Sequence, residues 1–218
     1  MINDNAVILF QGDSITDCGR DRNLYKGLGS GYPFFLSSAI GYKYPDKAYT
    51  CLNRGVSGNR VVDLYARIKE DIINLKPDML SILMGVNDVW HEFSWNQGVE
   101  RKKFERIYRM ILDEVLEEIP HLVVILMEPY VLKAGEVANE WDKWNNEMAF
   151  RREIVKNISD DYKTVFVPVQ EELNKLCETN SPQVWAADGI HPTDAGHMAI
   201  AHMWSRCVAQ RLGTERLM

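Results

Sequence analysis

Apolar residues recur along this chain with two alternating spacings. Short, nearly continuous apolar runs lie at residues 6–10, 79–84, 122–127 and 164–167, and a weaker run lies at 49–52. Runs of this length, rich in β-branched and aliphatic side chains, are typical of strands that are buried on both faces, as in parallel sheets. The pattern therefore predicts five strands.

The segments between these runs have the spacing of amphipathic helices, with apolar residues at i, i+3, i+4 and i+7 and charged residues opposite. The last of these segments has Thr193 before it, a residue type that caps helix N-termini well. The predicted helices cover residues 33–42, 61–75, 104–116, 141–158, 169–178 and 194–211. Strands that alternate with helices predict an α/β fold around a parallel sheet. No linker or repeat interrupts the pattern, so we expect a single domain over residues 1–218.

Composition and charge exclude several classes of protein. Of the 218 residues, 46% are hydrophobic and 26% are charged, which is ordinary for a globular protein and argues against disorder. The formal net charge is -6. Proteins that bind nucleic acid usually carry a basic excess or a basic stripe, and neither is present. We therefore expect neither nucleic acid nor an anionic membrane surface as a partner.

The cysteines and the N-terminal residues predict a compartment. The four cysteines lie far apart, and none has CxxC spacing, which indicates free thiols in a reducing environment. The first apolar run is too short for a signal peptide and has no basic residues before it. No apolar stretch approaches the roughly 18–20 residues that span a bilayer. We therefore expect a cytoplasmic protein.

Candidate chemistry follows the ends of the predicted strands, where sites form in open α/β sheets. Ser14 comes directly after the first strand, within Gly-Asp-Ser, and could be a nucleophile or the first residue of a turn. Ser57 in the glycine-rich segment after the second strand is a rival nucleophile. It lacks the full Gly-x-Ser-x-Gly pattern of a nucleophile elbow.

Two further groups follow later strands. Asn87 lies after the third strand and could donate hydrogen bonds to an oxyanion or cap the next segment. Asp188 and His191 lie three residues apart before the last helix, a spacing that lets a carboxylate hold an imidazole. Among the other histidines, His91 could line a site near Asn87. No His, Cys and Asp grouping has convincing metal-ligand spacing, so we expect no metal.

Together these groups resemble the SGNH hydrolases, also called the GDSL esterase/lipase family. Four sequence blocks match in order: Gly-Asp-Ser at Ser14, the glycine of Gly-x-Ser-Gly-Asn at Gly58, Gly-x-Asn-Asp at Asn87, and Asp-x-x-His ending at His191. The resemblance covers residues 11–192 and is strongest to the acetylxylan-esterase branch. The one departure is an isoleucine where the family name has leucine.

The resemblance implies a flavodoxin-like three-layer α/β/α sandwich with a five-stranded parallel sheet. It also implies a triad of Ser14 as nucleophile, His191 as base and Asp188 as the carboxylate that orients the base. The backbone amides of Ser14 and Gly58 and the side chain of Asn87 would form the oxyanion hole. The reaction that the resemblance implies is hydrolysis through an acyl-enzyme, without a cofactor.

The predicted substrate is a short-chain acyl ester of a sugar, such as an acetylated xylo-oligosaccharide. Trp90 and Trp185 lie three residues from Asn87 and Asp188, where their rings could stack on a sugar or pack under the loops. The alternatives are another acylhydrolase, such as a thioesterase or lysophospholipase, and a catalytically silent carbohydrate-binding protein on the same fold. The sequence leaves the oligomeric state open, a homo-oligomer included.

Overall fold

The structure, a computed structural model, describes residues 3–216 and contains a five-stranded parallel sheet in the order β2-β1-β3-β4-β5. This is the flavodoxin-like strand order. All strands are parallel, and the direction in which successive strands are added to the sheet changes between β1 and β3. The five strands predicted from apolar runs are confirmed, each within about two residues of its expected bounds. The strands are β1 (Val7–Gly12), β2 (Thr50–Asn53), β3 (Met79–Leu83), β4 (Val123–Met127) and β5 (Val165–Val167).

Helices cover both faces of the sheet, as the expected three-layer sandwich requires. One face packs mainly against α2, α8 and α9, and the other mainly against α3, α4, α6 and α7. The helices are α1 (Ser14–Asp17), α2 (Tyr32–Lys43), α3 (Val61–Tyr65), α4 (Ile68–Asp71), α5 (Val86–Trp95), α6 (Arg101–Glu118), α7 (Trp141–Asp161), α8 (Val169–Cys177) and α9 (Asp194–Leu212). No helix within residues 3–216 is both long and apolar enough to cross a membrane.

The alternation of side chains along the strands divides the core into two clusters. Ile8 and Phe10 of β1 belong to the cluster under α2 and α9, whereas Leu9 belongs to the cluster under α6. Successive strand residues point to opposite faces, so a strand that is covered on both sides is apolar throughout. This is why the strands appear in the sequence as continuous apolar runs.

The single helix expected over residues 61–75 is wrong, because the chain breaks there into α3, α4 and a short 3₁₀ turn. Arg67 leaves the helical conformation between them, with φ -122° and ψ 11°. The break after α4 frees the carbonyl of Asp71, which accepts a hydrogen bond of 2.9 Å from the side-chain amide of Gln11. The apolar side chains keep their face across both breaks, so periodicity alone could not reveal them.

Two short helices place candidate residues at the carboxyl ends of neighbouring strands. α1 begins at Ser14 directly after β1, and α5 begins one residue before Asn87 after β3. The predicted cap of α9 is confirmed, because the Thr193 hydroxyl accepts a hydrogen bond of 3.1 Å from Gly196 N. The loop before that cap carries Asp188 and His191 to the same edge of the sheet.

Candidate active site

Ser14 is held at the start of α1 by the residue before it. Asp13 caps the helix, and its Oδ1 accepts a hydrogen bond of 3.0 Å from Ile15 N. The Asp13 carboxyl is completely buried, which raises its pKa to about 7. Its other oxygen, Oδ2, has no hydrogen-bond partner among the described residues. Asp13 therefore fixes the turn in which Ser14 lies.

Ser14, His191 and Asp188 form a continuous chain of hydrogen bonds. Ser14 Oγ lies 2.9 Å from His191 Nε2, although the two residues are 177 positions apart. His191 Nδ1 lies 2.6 Å from Asp188 Oδ2. The second oxygen of Asp188 accepts from the backbone N–H groups of Ile190 and His191, at 2.8 Å each. Ser14 is thus within proton-transfer distance of a histidine that is far from it in the sequence.

The pKa shifts of Asp188 and His191 indicate where the protons of the triad lie. Burial on its own would raise the pKa of Asp188, but the hydrogen bonds from His191 and two backbone N–H groups lower it to about 2. Asp188 is therefore ionised, and Nδ1 of His191 donates to it. The same hydrogen bond raises the pKa of His191, against the opposing effect of burial. In neutral His191, Nε2 is thus free to accept the Ser14 proton.

Three N–H groups are candidates for the oxyanion hole: the backbone N–H groups of Ser14 and Gly58 and the side-chain amide of Asn87. Among residues 3–216, the backbone N–H groups of Ser14 and Gly58 have no hydrogen-bond acceptor. Gly58 has φ +80°, a left-handed conformation that favours glycine. Asn87 is almost fully buried, and its Nδ2 donates one hydrogen bond of 3.2 Å to the carbonyl of Asn59. An amide nitrogen carries two protons, so Asn87 keeps one for another acceptor.

The rival candidates from the sequence lie elsewhere. Ser57 is exposed, and both its N–H and its hydroxyl donate to Asp17 Oδ2 at 3.0 Å, so no histidine activates it. His91 packs edge-on against Trp95, with ring centroids 4.9 Å apart. Neither residue therefore joins the Ser14 cluster.

A cleft of about 620 Å³ lies directly beside this hydrogen-bonded chain, a size that accommodates a small organic ligand. Trp90 forms part of its wall, and its ring lies 5.8 Å from the His191 ring between centroids. Trp90 and Phe93 both pack edge-on against Trp144. The lining residues are Trp90, Phe93, Ser94, Gly135, Glu136, Val137, Glu140, Trp144, Ala187, Asp188 and Ile190.

Trp185, the second tryptophan expected at the substrate, is placed differently. Both tryptophans pack against the buried cluster under α2 and α9, but only Trp90 lines the cleft. The indole Nε1 of Trp185 is buried without a hydrogen-bond partner in the described part of the chain. The geometry thus favours the packing alternative for Trp185 and a place at the cleft for Trp90.

Sequence reasoning missed most of the cleft wall. Trp144 lies in the helix predicted over residues 141–158, and nothing in the sequence marked it as a cleft residue. Gly135 carried no signal, yet it has φ +49° and its Cα lies so close to Asp188 that an added Cβ would be 2.5 Å from the Asp188 Cα. The loop that contains Gly135 contacts Asp188 only in the folded protein.

A flavodoxin-like sandwich with a hydrogen-bonded serine, histidine and aspartate past its strand ends defines a serine hydrolase of the α/β class. The model of the GDSL-like Lipase/Acylhydrolase family matches residues 10–199. The chain therefore belongs to this family and is a serine carboxylic-ester hydrolase.

Individual relatives agree with the family. An acetylxylan esterase from Geobacillus stearothermophilus is 36% identical over 211 residues, which cover 94% of each chain. Its crystal structure superposes with a TM-score of 0.85 at 34% identity, covering 98% of this chain and 97% of that one. A GDSL-like lipase structure from Parabacteroides merdae superposes with a TM-score of 0.92 at 34% identity, covering 96% and 98%. The predicted family, fold and ester-hydrolase class are confirmed.

Proposed function

We propose that this enzyme removes acetyl groups from short acetylated sugars, with xylo-oligosaccharides as the leading substrate class, and that Ser14, His191 and Asp188 carry out the reaction. The observation that carries the proposal is the uninterrupted chain from Ser14 Oγ through the His191 ring to Asp188. A serine hydroxyl is a weak nucleophile until a neighbouring base takes its proton, and this geometry supplies that base.

In the first half of the reaction, Ser14 Oγ attacks the ester carbonyl while its proton passes to His191 Nε2. The imidazolium that forms is stabilised by ionised Asp188, which keeps its own charge throughout. His191 then gives the proton to the departing sugar hydroxyl, and the acetyl group remains on Ser14. A water molecule, deprotonated by His191, releases acetate and restores the serine.

The negative charge of each tetrahedral intermediate falls on the former carbonyl oxygen. We assign its stabilisation to the backbone N–H groups of Ser14 and Gly58 and to Nδ2 of Asn87. Two of these donors have no acceptor within the described residues, and the third has one proton to spare. Donors that are fixed before the reaction need no reorganisation when the charge develops, which is why they lower the barrier.

Two observations support a short acyl group on a sugar. The cleft wall combines aromatic rings with carboxylates, and the ring of Trp90 lies beside His191. Such rings contact the C–H faces of sugars while polar neighbours bond to hydroxyl groups. In addition, the relative from Geobacillus stearothermophilus is an acetylxylan esterase.

A hydrolysis screen tests this proposal. The purified enzyme is offered acetylated xylo-oligosaccharides and 4-nitrophenyl esters from acetyl to octanoyl, with a medium-chain acyl thioester and a lysophospholipid beside them, and released acid is measured directly. We expect acetate release from the sugars and faster cleavage of acetyl than of octanoyl esters. Preference for long acyl chains or for the thioester, without acetate release from the sugars, would instead indicate one of the other acylhydrolase activities.

A further inference from the structure

The residue after Asn87 connects the two elements that carry the proposed oxyanion donors. Asp88 is completely buried in the first turn of α5. Both of its carboxylate oxygens lie near Val61 N, at 3.0 Å and 3.3 Å. Val61 begins α3, three residues after Gly58. Asp88 therefore attaches the glycine-rich loop to the helix that carries Asn87.

A second attachment lies beside the first. The side chain of Asn87 donates to the carbonyl of Asn59, which lies between Gly58 and Val61. The side chain of Asn59 accepts a hydrogen bond of 2.8 Å from Arg67 Nε. Adjacent residues of α5 thus bind two points of one loop, and the loop is tethered on its other side by Arg67.

Asp88 is itself held from α7. Its backbone carbonyl accepts a hydrogen bond of 3.0 Å from Val99 N, and the Val99 carbonyl accepts one of 2.6 Å from Arg151 Nη2. Arg151 is buried, with only 3% of its side chain exposed, and its positive charge favours the ionised form of Asp88. A buried guanidinium is costly unless it is paired, and Arg151 also lies 3.9 Å from the Glu147 carboxylate.

We propose that Asp88 is a positioning residue for the oxyanion hole, and that Arg151 supports it by fixing both its backbone and its charge. Asp88 does not touch the substrate. It sets the separation between the N–H of Gly58 and the amide of Asn87, two donors that must point at one oxygen atom. A displacement of about 1 Å in such a donor is enough to cost a large part of the rate.

This inference rests on the proposed function, because it assumes that Gly58 and Asn87 stabilise the intermediate. It goes beyond that function by assigning roles to two buried residues outside the hydrogen-bonded triad. Burial raises the pKa of Asp88 to about 7, against the opposing effects of Val61 N–H and Arg151. Loss of the Arg151 charge should therefore make the Asp88 carboxyl easier to protonate and weaken its hold on Val61.

The test compares two changes at Asp88 and one at Arg151. Asp88→Asn keeps one oxygen for Val61 N, Asp88→Ala keeps none, and Arg151→Lys keeps the charge but loses the fork geometry. With 4-nitrophenyl acetate we expect kcat to fall by roughly 10- to 100-fold in Asp88→Ala and less in Asp88→Asn and Arg151→Lys, since a displaced donor loses less than a deleted one. KM should stay within about twofold of the wild-type value, because the donors act on charge that develops later.

A second readout separates positioning from general loss of structure. Phenylboronic acid forms a tetrahedral adduct with an activated serine and places an oxygen where the oxyanion would lie. Its inhibition constant should rise in proportion to the fall in kcat. Asp113→Asn and Arg152→Lys are matched controls, since Asp113 is exposed on α6 and Arg152 is the neighbour of Arg151 on α7. Both controls should keep wild-type kcat and boronate affinity.

Several outcomes would overturn the inference. Wild-type kcat in both Asp88 variants would show that the loop does not need this attachment, and a rise in KM at constant kcat would make Asp88 a residue of the substrate site. If circular dichroism and thermal unfolding show that Asp88→Ala does not fold, the kcat values of Asp88→Asn and Arg151→Lys test the inference in its place. Turnover by Ser14→Ala would remove the proposed function as well, whereas an inactive Ser14→Ala with fully active Asp88 variants would remove this inference alone.

Discussion

The indole ring of Trp90 packs against the imidazole of His191, with centroids 5.8 Å apart and ring planes inclined by 55°. The imidazole of the proposed base therefore lies next to a residue of the cleft wall. A sugar that stacks on the cleft side of Trp90 would lie within reach of the proton that His191 transfers. The proposed sugar contact and the proposed base are thus adjacent.

This contact predicts different consequences for the two tryptophans. Trp90→Ala should lower kcat/KM for acetylated xylo-oligosaccharides roughly 2- to 12-fold more than for 4-nitrophenyl acetate, which corresponds to a stacking loss of about 0.5–1.5 kcal/mol. Trp185→Ala should lower the melting temperature instead and affect both substrates alike, because Trp185 packs against the core. Equal losses on the two substrates in Trp90→Ala would argue against a sugar contact.

Ser14→Ala should abolish turnover while leaving the fold intact. Loss of the nucleophile of a triad lowers kcat by roughly 10⁶-fold, and only oxyanion and binding effects remain. Ser57→Ala is the matched control and should keep most activity, because the Ser57 N–H still bonds to Asp17. Labelling with a fluorophosphonate, followed by mass spectrometry, should modify Ser14 in the wild type. A label on Ser57, or turnover by Ser14→Ala, would refute the assignment.

Asn87→Ala should lower kcat by roughly 10²–10³-fold with little change in KM, which is the effect of removing one oxyanion donor. Asn87→Asp keeps the shape of the side chain, but replaces the donor by an acceptor and should be at least as slow. Steady-state kinetics with 4-nitrophenyl acetate measure both values. If KM rose while kcat stayed constant, Asn87 would be a substrate-binding or turn residue.

Activity should decline as the pH falls through the pKa of His191, because only the neutral imidazole can accept the Ser14 proton. The hydrogen bond to Asp188 raises the pKa of His191 above the ordinary histidine value of 6.5. The acidic limb of kcat/KM, which reports the free enzyme, should therefore have its midpoint above 6.5. A midpoint at or below that value would mean that burial outweighs the Asp188 contact.

The strands and most helices could be predicted because their signals are local. Parallel strands buried on both faces must be apolar throughout, and amphipathic helices must repeat every three to four residues. The helix over 61–75 was wrong because its breaks at Arg67 and after Asp71 preserve that repeat. What stabilises those breaks includes a contact with Gln11, some 60 positions away, which no local pattern contains.

The candidate site followed from chemistry at strand ends together with the family resemblance. The residue types at Ser14, Asn87, Asp188 and His191 were each ambiguous alone, since each also occurs in ordinary turns and caps. Ser14 and Asn87 follow strands, and parallel strands bring their carboxyl ends to one edge of the sheet, which reduced the ambiguity for these two residues. Asp188 and His191 follow α8 instead, so the family resemblance placed them at the site.

By itself, therefore, the sequence determined the α/β class, the five strands and the residues able to perform ester hydrolysis. Only the tertiary structure decided that Trp90 borders the cleft while Trp185 packs inward, that Ser57 is held by Asp17, and that Asp88 binds Val61. The physical reason is that the apolar runs of buried strands and the apolar periodicity of helices are properties of residues close together in the sequence. Hydrogen-bond partners and cleft walls depend on side-chain directions and on loops that meet after long crossings of the chain, and these are fixed only when the helices pack on the sheet.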